Sequence, residues 1–236
     1  MQSQSVPNFC SQFWVASTAN FQTNLFFVPD ASRILASSGQ ATGDMTMYTV
    51  QLNLFDADGE LVNEVTTSFP LDRVGLLELE PLLEVCKYEG GMKHGRALIS
   101  SDSPTKHLCR LQGRENAALM RELLPLSAQH RVFLPVSLTE AKASILVLSN
   151  MGRVPAILRC KLIVGKRSPE MQLEIPAGAT RLLSVENEFP EFGDLNLSRG
   201  VQGFLRLSSR AEDQVGVQLL ERIEGPKDTG LFTTVS

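Results

Sequence analysis

Along residues 46–55 apolar and polar positions alternate, with Val50, Leu52 and Leu54 on one side and Thr49, Gln51 and Asn53 on the other. That is the period of a half-buried strand. Asp58-Gly59 follows and residues 60–67 alternate again, so the stretch predicts a hairpin. The second half of the chain carries the same plan, with a strand over 157–164, a turn at 165–169 and a strand over 171–175. Each hairpin runs into a proline corner, Phe69-Pro70 and Ile175-Pro176, where the missing N–H ends a ladder. Further strands are predicted over 75–79 and 181–185. Irregular acidic stretches follow, in which Glu78, Glu80 and Glu84 are matched by Glu186, Glu188 and Glu191. Solvated connections are the simple reading of such charge. Strands ending in Ser100-Ser101 and Ser208-Ser209 come next, each with a returning strand, at 105–111 and 214–222.

These matches suggest one module present twice. Val28-Pro29 pairs with Leu134-Pro135, Phe69-Pro70 with Ile175-Pro176, and Leu76-Leu77 with Leu182-Leu183, all at one offset (135−29, 176−70 and 182−76 give 106). Gly95 and Gly203 follow at 108 (203−95). The expected fold is therefore all-β: two tandem antiparallel β-sandwich repeats joined by a short helix. The helix is placed in the 113–129 linker, where Leu119, Met120, Leu123 and Leu124 fall one turn apart before Pro125. The organisation that follows is an N-terminal arm over 1–22, repeats over 23–112 and 130–224, and a tail over 225–236 read as a loop or docked extension.

A chain of 236 residues with 43% hydrophobic and 20% charged residues can bury two cores of about 100 residues each. The net charge is −4 with no dense Lys/Arg tract, which argues against nucleic acid and against an anionic membrane surface. The first residues show no basic, then apolar, leader pattern and no run is long enough to span a bilayer, so a cytoplasmic location is expected. Four cysteines without Cys-x-x-Cys spacing read as reduced thiols, mostly buried.

Candidate chemistry is thin. Cys86, His94, His107 and Cys109 are a weak set of metal ligands: His107 and Cys109 leave one face of a strand, but the spacings match no zinc pattern. Asp56, Asp58 and Gly59 resemble the start of a calcium loop, yet its twelfth position is Thr67. Ser100-Ser101 and Ser208-Ser209 have few histidines to activate them, and no nucleophile elbow, phosphate loop or dinucleotide fingerprint is present. No enzyme activity and no cofactor are expected. Aromatic residues gather early, and Phe9, Phe13 and Trp14 precede the first predicted repeat. They are the candidates for contact with a partner, because buried aromatics dominate interfaces.

From Arg110-Leu111 through Arg114, Glu115-Asn116-Ala117 and Leu119, with the strand and turn over 97–104 before it, the chain resembles the sensory rhodopsin transducer family. The resemblance covers the first repeat, and more loosely the second, where residues 220–223 stand in place of the Arg-Leu run. It implies a small, non-catalytic, oligomeric sandwich that binds a partner protein, with Arg110 and Arg114 among the contact residues, and some capacity for a sugar or other small ligand. The function expected is protein binding and self-assembly, as a scaffold or signalling adaptor whose partner is itself or another protein. A carbohydrate- or small-ligand-binding module is the alternative, and a metal-dependent hydrolase is third.

Overall fold

The computed structural model describes residues 9–30, 46–89, 91–113, 117–126, 131–139, 142–192, 200–210, 214–223 and 231–234. The first unit contains β1 (Phe9–Ser17), β2 (Phe21–Pro29), β3 (Met47–Asp56), β4 (Leu61–Pro70), β5 (Gly75–Glu78), α1 (Glu80–Leu83), β6 (Tyr88–Glu89), β7 (Met92–Ser101), β8 (Thr105–Gly113) and β9 (Ala117–Met120). The second contains β10 (Leu124–Leu126), β11 (Val132–Leu138), β12 (Lys142–Asn150), β13 (Ala156–Ile163), β14 (Glu170–Ile175), β15 (Thr180–Ser184), α2 (Val185–Glu188), β16 (Val201–Ser209), β17 (Val215–Ile223) and β18 (Leu231–Thr234).

Both units are antiparallel sandwiches with one strand plan. The first stacks a β1-β7-β3-β4 sheet on a β5-β2-β8-β9 sheet; the second stacks β11-β16-β13-β14 on β15-β12-β17-β10. Alternation explains the strands. In β3 Tyr48, Val50, Leu52 and Leu54 are buried while Thr49, Gln51 and Asn53 turn away. The Asp-Gly turn forms as predicted: the Asp56 carboxylate accepts the N–H groups of Asp58 and Glu60 at 3.0 Å each, and Gly59 takes a φ of 90°. The acidic stretches contain α1 and α2. Leu83 is buried on the first, and Val185 on the second, where Ser184 caps the helix by accepting from the Asn187 N–H.

Register corrects part of the sequence alignment. Leu52 lies opposite Ile99 and Cys160 opposite Leu207, so β3 matches β13 and β7 matches β16 at an offset of 108 (160−52, 207−99). Phe13 lies opposite Ala97 and Leu134 opposite Leu205, so Leu134 stands where Phe13 does, 121 later (134−13). Val28-Pro29 closes β2 and is not the counterpart of Leu134-Pro135, which belongs to β11. The offset falls after β2 because the connection from Pro29 to Met47 is longer than that from Asn150 to Ala156.

Two further expectations fail. Residues 9–17 are no arm: β1 pairs along its whole length with β7, from Phe9↔Ser101 to Ser17↔Lys93. The linker is not helical over its described residues. Ala117–Met120 pairs with β8, and Leu124–Leu126 pairs with β17. Helix propensity is a weak preference, and the open edge of β8 offers a row of hydrogen bonds that Ala117–Met120 completes. Met120 is buried against the core while Leu119 points out.

Candidate interaction surfaces

The residues singled out for partner contact have different fates. Phe13 is buried in the core of the first unit and Trp14 is buried against the second unit, so neither can meet a partner without opening the fold. Phe9, at the start of β1, is half-buried. Arg110, on β8 opposite Asn24 and Leu119, lies on the outer face of its sheet, half-buried. Arg114 lies outside the described residues.

The four metal candidates do not converge. His107 and Cys109 do share the inner face of β8, but His94 lies on the outer face of the neighbouring sheet, its ring 6.4 Å from that of Trp14. Among the described residues no group of three His, Cys, Asp or Glu side chains could hold a metal. The buried thiols are inert in character: burial pushes Cys86 up to about 11 and Cys160 up to about 12, and raises Cys109 as well.

Ser101 and His107 do come together, a contact the strand pattern alone does not reveal. The Ser101 hydroxyl lies 3.3 Å from His107 Nε2 and donates to the Ser103 carbonyl at 2.9 Å. With the serine proton committed to a carbonyl, Nε2–H is the donor to Ser101 and Nδ1 is left as a bare acceptor. The pair is thus arranged as a buried hydrogen-bond relay, the reverse of a base drawing a proton from a nucleophile. Burial lowers the His107 pKa to about 4. His107 also lines a cleft of about 310 Å³ at one end of the first sandwich, with Phe9, Ser11, Asp30, Lys106 and Glu122. Ser11 donates to the Glu122 carboxylate across it at 3.0 Å.

The larger feature is the joint between the units. On the outer face of the first β1-β7-β3-β4 sheet, Trp14, Arg96 and Phe55 form a row across three strands. On the outer face of the β15-β12-β17 sheet, Leu182, Val147 and Gln218 form another. Trp14, Ala16, His94 and Arg96 are buried, as are Val147, Gln218 and Leu220. Trp14, Val147 and Leu220 belong to one continuous cluster, with Ile145 and Leu182 packed against it. The two outer faces therefore meet, and β12 is buried on both sides. Arg96 adapts to the joint by stacking its guanidinium 4.5 Å above the Phe55 ring and donating to Gln12 Oε1 at 3.2 Å.

Turns close the joint. Thr180 N–H donates to the Ala57 carbonyl at 2.9 Å, and Asp58 pairs with both Lys87 and, at 3.8 Å, Arg181. Gly59 comes so near Gly178 that a Cβ on Gly59 would sit 2.4 Å from the Gly178 carbonyl carbon. At the linker, Leu123 N–H donates to the Gln12 carbonyl at 2.9 Å.

The two outermost faces carry equally apolar rows. On the outer face of the β5-β2-β8-β9 sheet, Phe26 lies between Leu76 and Leu108. On the outer face of the β11-β16-β13-β14 sheet, Phe204 lies between Pro135 and Ile163. Leu76 is 47% exposed, Leu119 62%, Phe133 55% and Phe204 54%. Antiparallel strands facing water normally turn polar side chains outward, and clustered exposed apolar groups mark contact sites. These faces, rather than Phe13 and Trp14, are the surfaces available to a partner. Among the described residues no helix is long and apolar enough to cross a membrane. No protein-family model and no curated protein matches this chain.

Proposed function

We propose that this protein acts by binding protein through its broad outer sheet faces, as a non-catalytic scaffold or adaptor whose tandem units also associate with copies of themselves. The apolar rows across both outermost sheets carry this reading. The resemblance of Arg110-Leu111 and the residues after it to the sensory rhodopsin transducer family, and the strand plan shared by the two units, fit the same picture. The buried thiols and the relay from His107 to Ser101 lend no support to a nucleophile. Sedimentation from about 1 to about 100 µM spans the affinities expected of such surfaces. A mass above the 25.9 kDa of one chain, rising with concentration, is the result expected of self-association. A single chain mass throughout, together with no protein retained by an immobilised column of the intact chain, would overturn the reading.

A second reading, small-ligand or carbohydrate binding, draws on the cleft at His107, whose buried Nδ1 has no hydrogen-bond partner among the described residues. A glycan array probed with the wild-type protein and with His107→Gln tests it. A glycan retained by the wild type and lost by the variant supports the cleft; an empty array removes the sugar reading.

A further inference from the structure

We propose that the occupant of each outer face is a second copy of this chain, stacked head to tail. The outer face of the β11-β16-β13-β14 sheet of one copy would sit on the outer face of the β5-β2-β8-β9 sheet of the next, repeating the packing that joins the two units within one chain. This rests on the reading of the chain as an assembling module and names its partner.

The argument is positional. Register makes Trp14, Arg96 and Phe55 the counterparts of Pro135, Phe204 and Ile163. It likewise makes Leu182, Val147 and Gln218 the counterparts of Leu76, Phe26 and Leu108. In the joint Trp14, Arg96, Val147 and Gln218 are buried and Phe55 and Leu182 half-buried, whereas at the ends Phe204 and Leu76 are exposed and their neighbours in each row only half-buried. Each chain therefore contains one completed contact between a face of the first kind and a face of the second kind. It also presents one unfilled face of each kind. Solvent gives no reason for three apolar side chains in a row on both ends, whereas a repeat of the joint accounts for both at once.

A contact between two different faces is head to tail, so it builds a ring or an open series rather than a two-fold symmetric dimer. The match is incomplete at the turns. Asp72 occupies the position of Gly178 (178−72 gives the 106 of β4 and β14), so the corner cannot be approached as closely as Gly59 approaches Gly178. The contact between chains is accordingly weaker than the joint within one, and assembly is reversible with concentration.

The test blocks one face at a time. Phe204→Arg disables one end and Leu76→Glu the other; both side chains are about half-exposed, so neither change enters a core. Phe133→Arg, on the same sheet as Phe204, replaces the first variant if circular dichroism shows it unfolded. The wild type should grow in mass with concentration, and each blocked variant alone should stay at 25.9 kDa. An equimolar mixture should give one new species of twice that mass that grows no further. Survival of dimers in either variant alone, or a mixture that stays at one chain mass while the wild type associates, overturns stacking and leaves self-association through another surface. A wild type that never exceeds one chain mass overturns stacking too, while retention of a foreign protein on the column would leave the broader protein-binding reading standing.

Discussion

Gly59→Ala, measured against Gly165→Ala, weighs the joint between the units directly. Both glycines sit in hairpin turns at positive φ, 90° and 57°, where an alanine costs about 1–2 kcal/mol from its Cβ alone. At Gly165 nothing lies within 4 Å of the added carbon, so that cost is the whole effect. At Gly59 the same carbon falls 2.4 Å from the backbone of Gly178 in the other unit, with the Gly178 oxygen at 2.6 Å. Backbone cannot rotate out of the way as a side chain can, so the turn must back off. The Thr180 to Ala57 hydrogen bond then goes, at about 1 kcal/mol, together with part of the apolar contact around it. The expected loss is about 1–2 kcal/mol for Gly165→Ala and about 3–4 kcal/mol for Gly59→Ala. Equilibrium urea unfolding of the two variants beside the wild type measures both. Two losses equal within about 0.5 kcal/mol, the spread of ordinary surface changes, would refute the claim that the turn is pinned against the second unit.

Trp14→Ala should cost about 3–5 kcal/mol, since the side chain is fully buried; before unfolding, its fluorescence should be blue-shifted and shielded from iodide, and red, quenchable emission in the native protein would contradict that burial. The His107 pKa falls from 6.5 to about 4 on burial, so the fold favours the neutral ring: this contribution is complete above pH 6.5 and is lost as pH drops through that window. His107→Gln should flatten the fall in unfolding free energy between pH 6.5 and 4.5, by about 1–3 kcal/mol; an unchanged slope would exclude His107 as its source. Of the four cysteines, Cys10 is exposed and Cys86, Cys109 and Cys160 are buried, so a colorimetric thiol reagent should react with one group promptly and with the other three only in denaturant. Two or more prompt thiols would contradict the packing around them.

The hairpins were legible because period-two alternation is written locally: Val50, Leu52 and Leu54 do face the core. The shared strand plan was legible from the proline corners and from the glycine and serine positions of β7 and β16. The offset at Val28-Pro29 misled because a one-dimensional match ignores a loop of different length, which only register reveals. Ala117–Met120 misled because its residues favour helix while its environment, a free strand edge, decides the outcome. Trp14 and Phe13 were misplaced for the opposite reason. Their partners in the fold, β7 and the outer face of the second unit, lie 80 or more positions away (97−13 gives 84 for the pair Phe13 and Ala97), and nothing nearby announces them. One signal for the joint was present and local: Ile145-Leu146-Val147-Leu148 is apolar without alternation, the mark of a strand covered on both sides. The rows on the outer faces were not legible, because an apolar residue at a single strand position carries no information about its neighbours on adjacent strands.

That strand has a thermodynamic consequence. Leu146 and Val147 are adjacent in sequence yet belong to different interiors, the first to the cluster of the second unit and the second to the cluster of the first. Melting either unit strips one side of β12 and so weakens the other, which couples the two halves despite their duplicate layout. Heating should therefore give a single calorimetric peak with equal calorimetric and van't Hoff enthalpies, where a chain of two independent beads would give two.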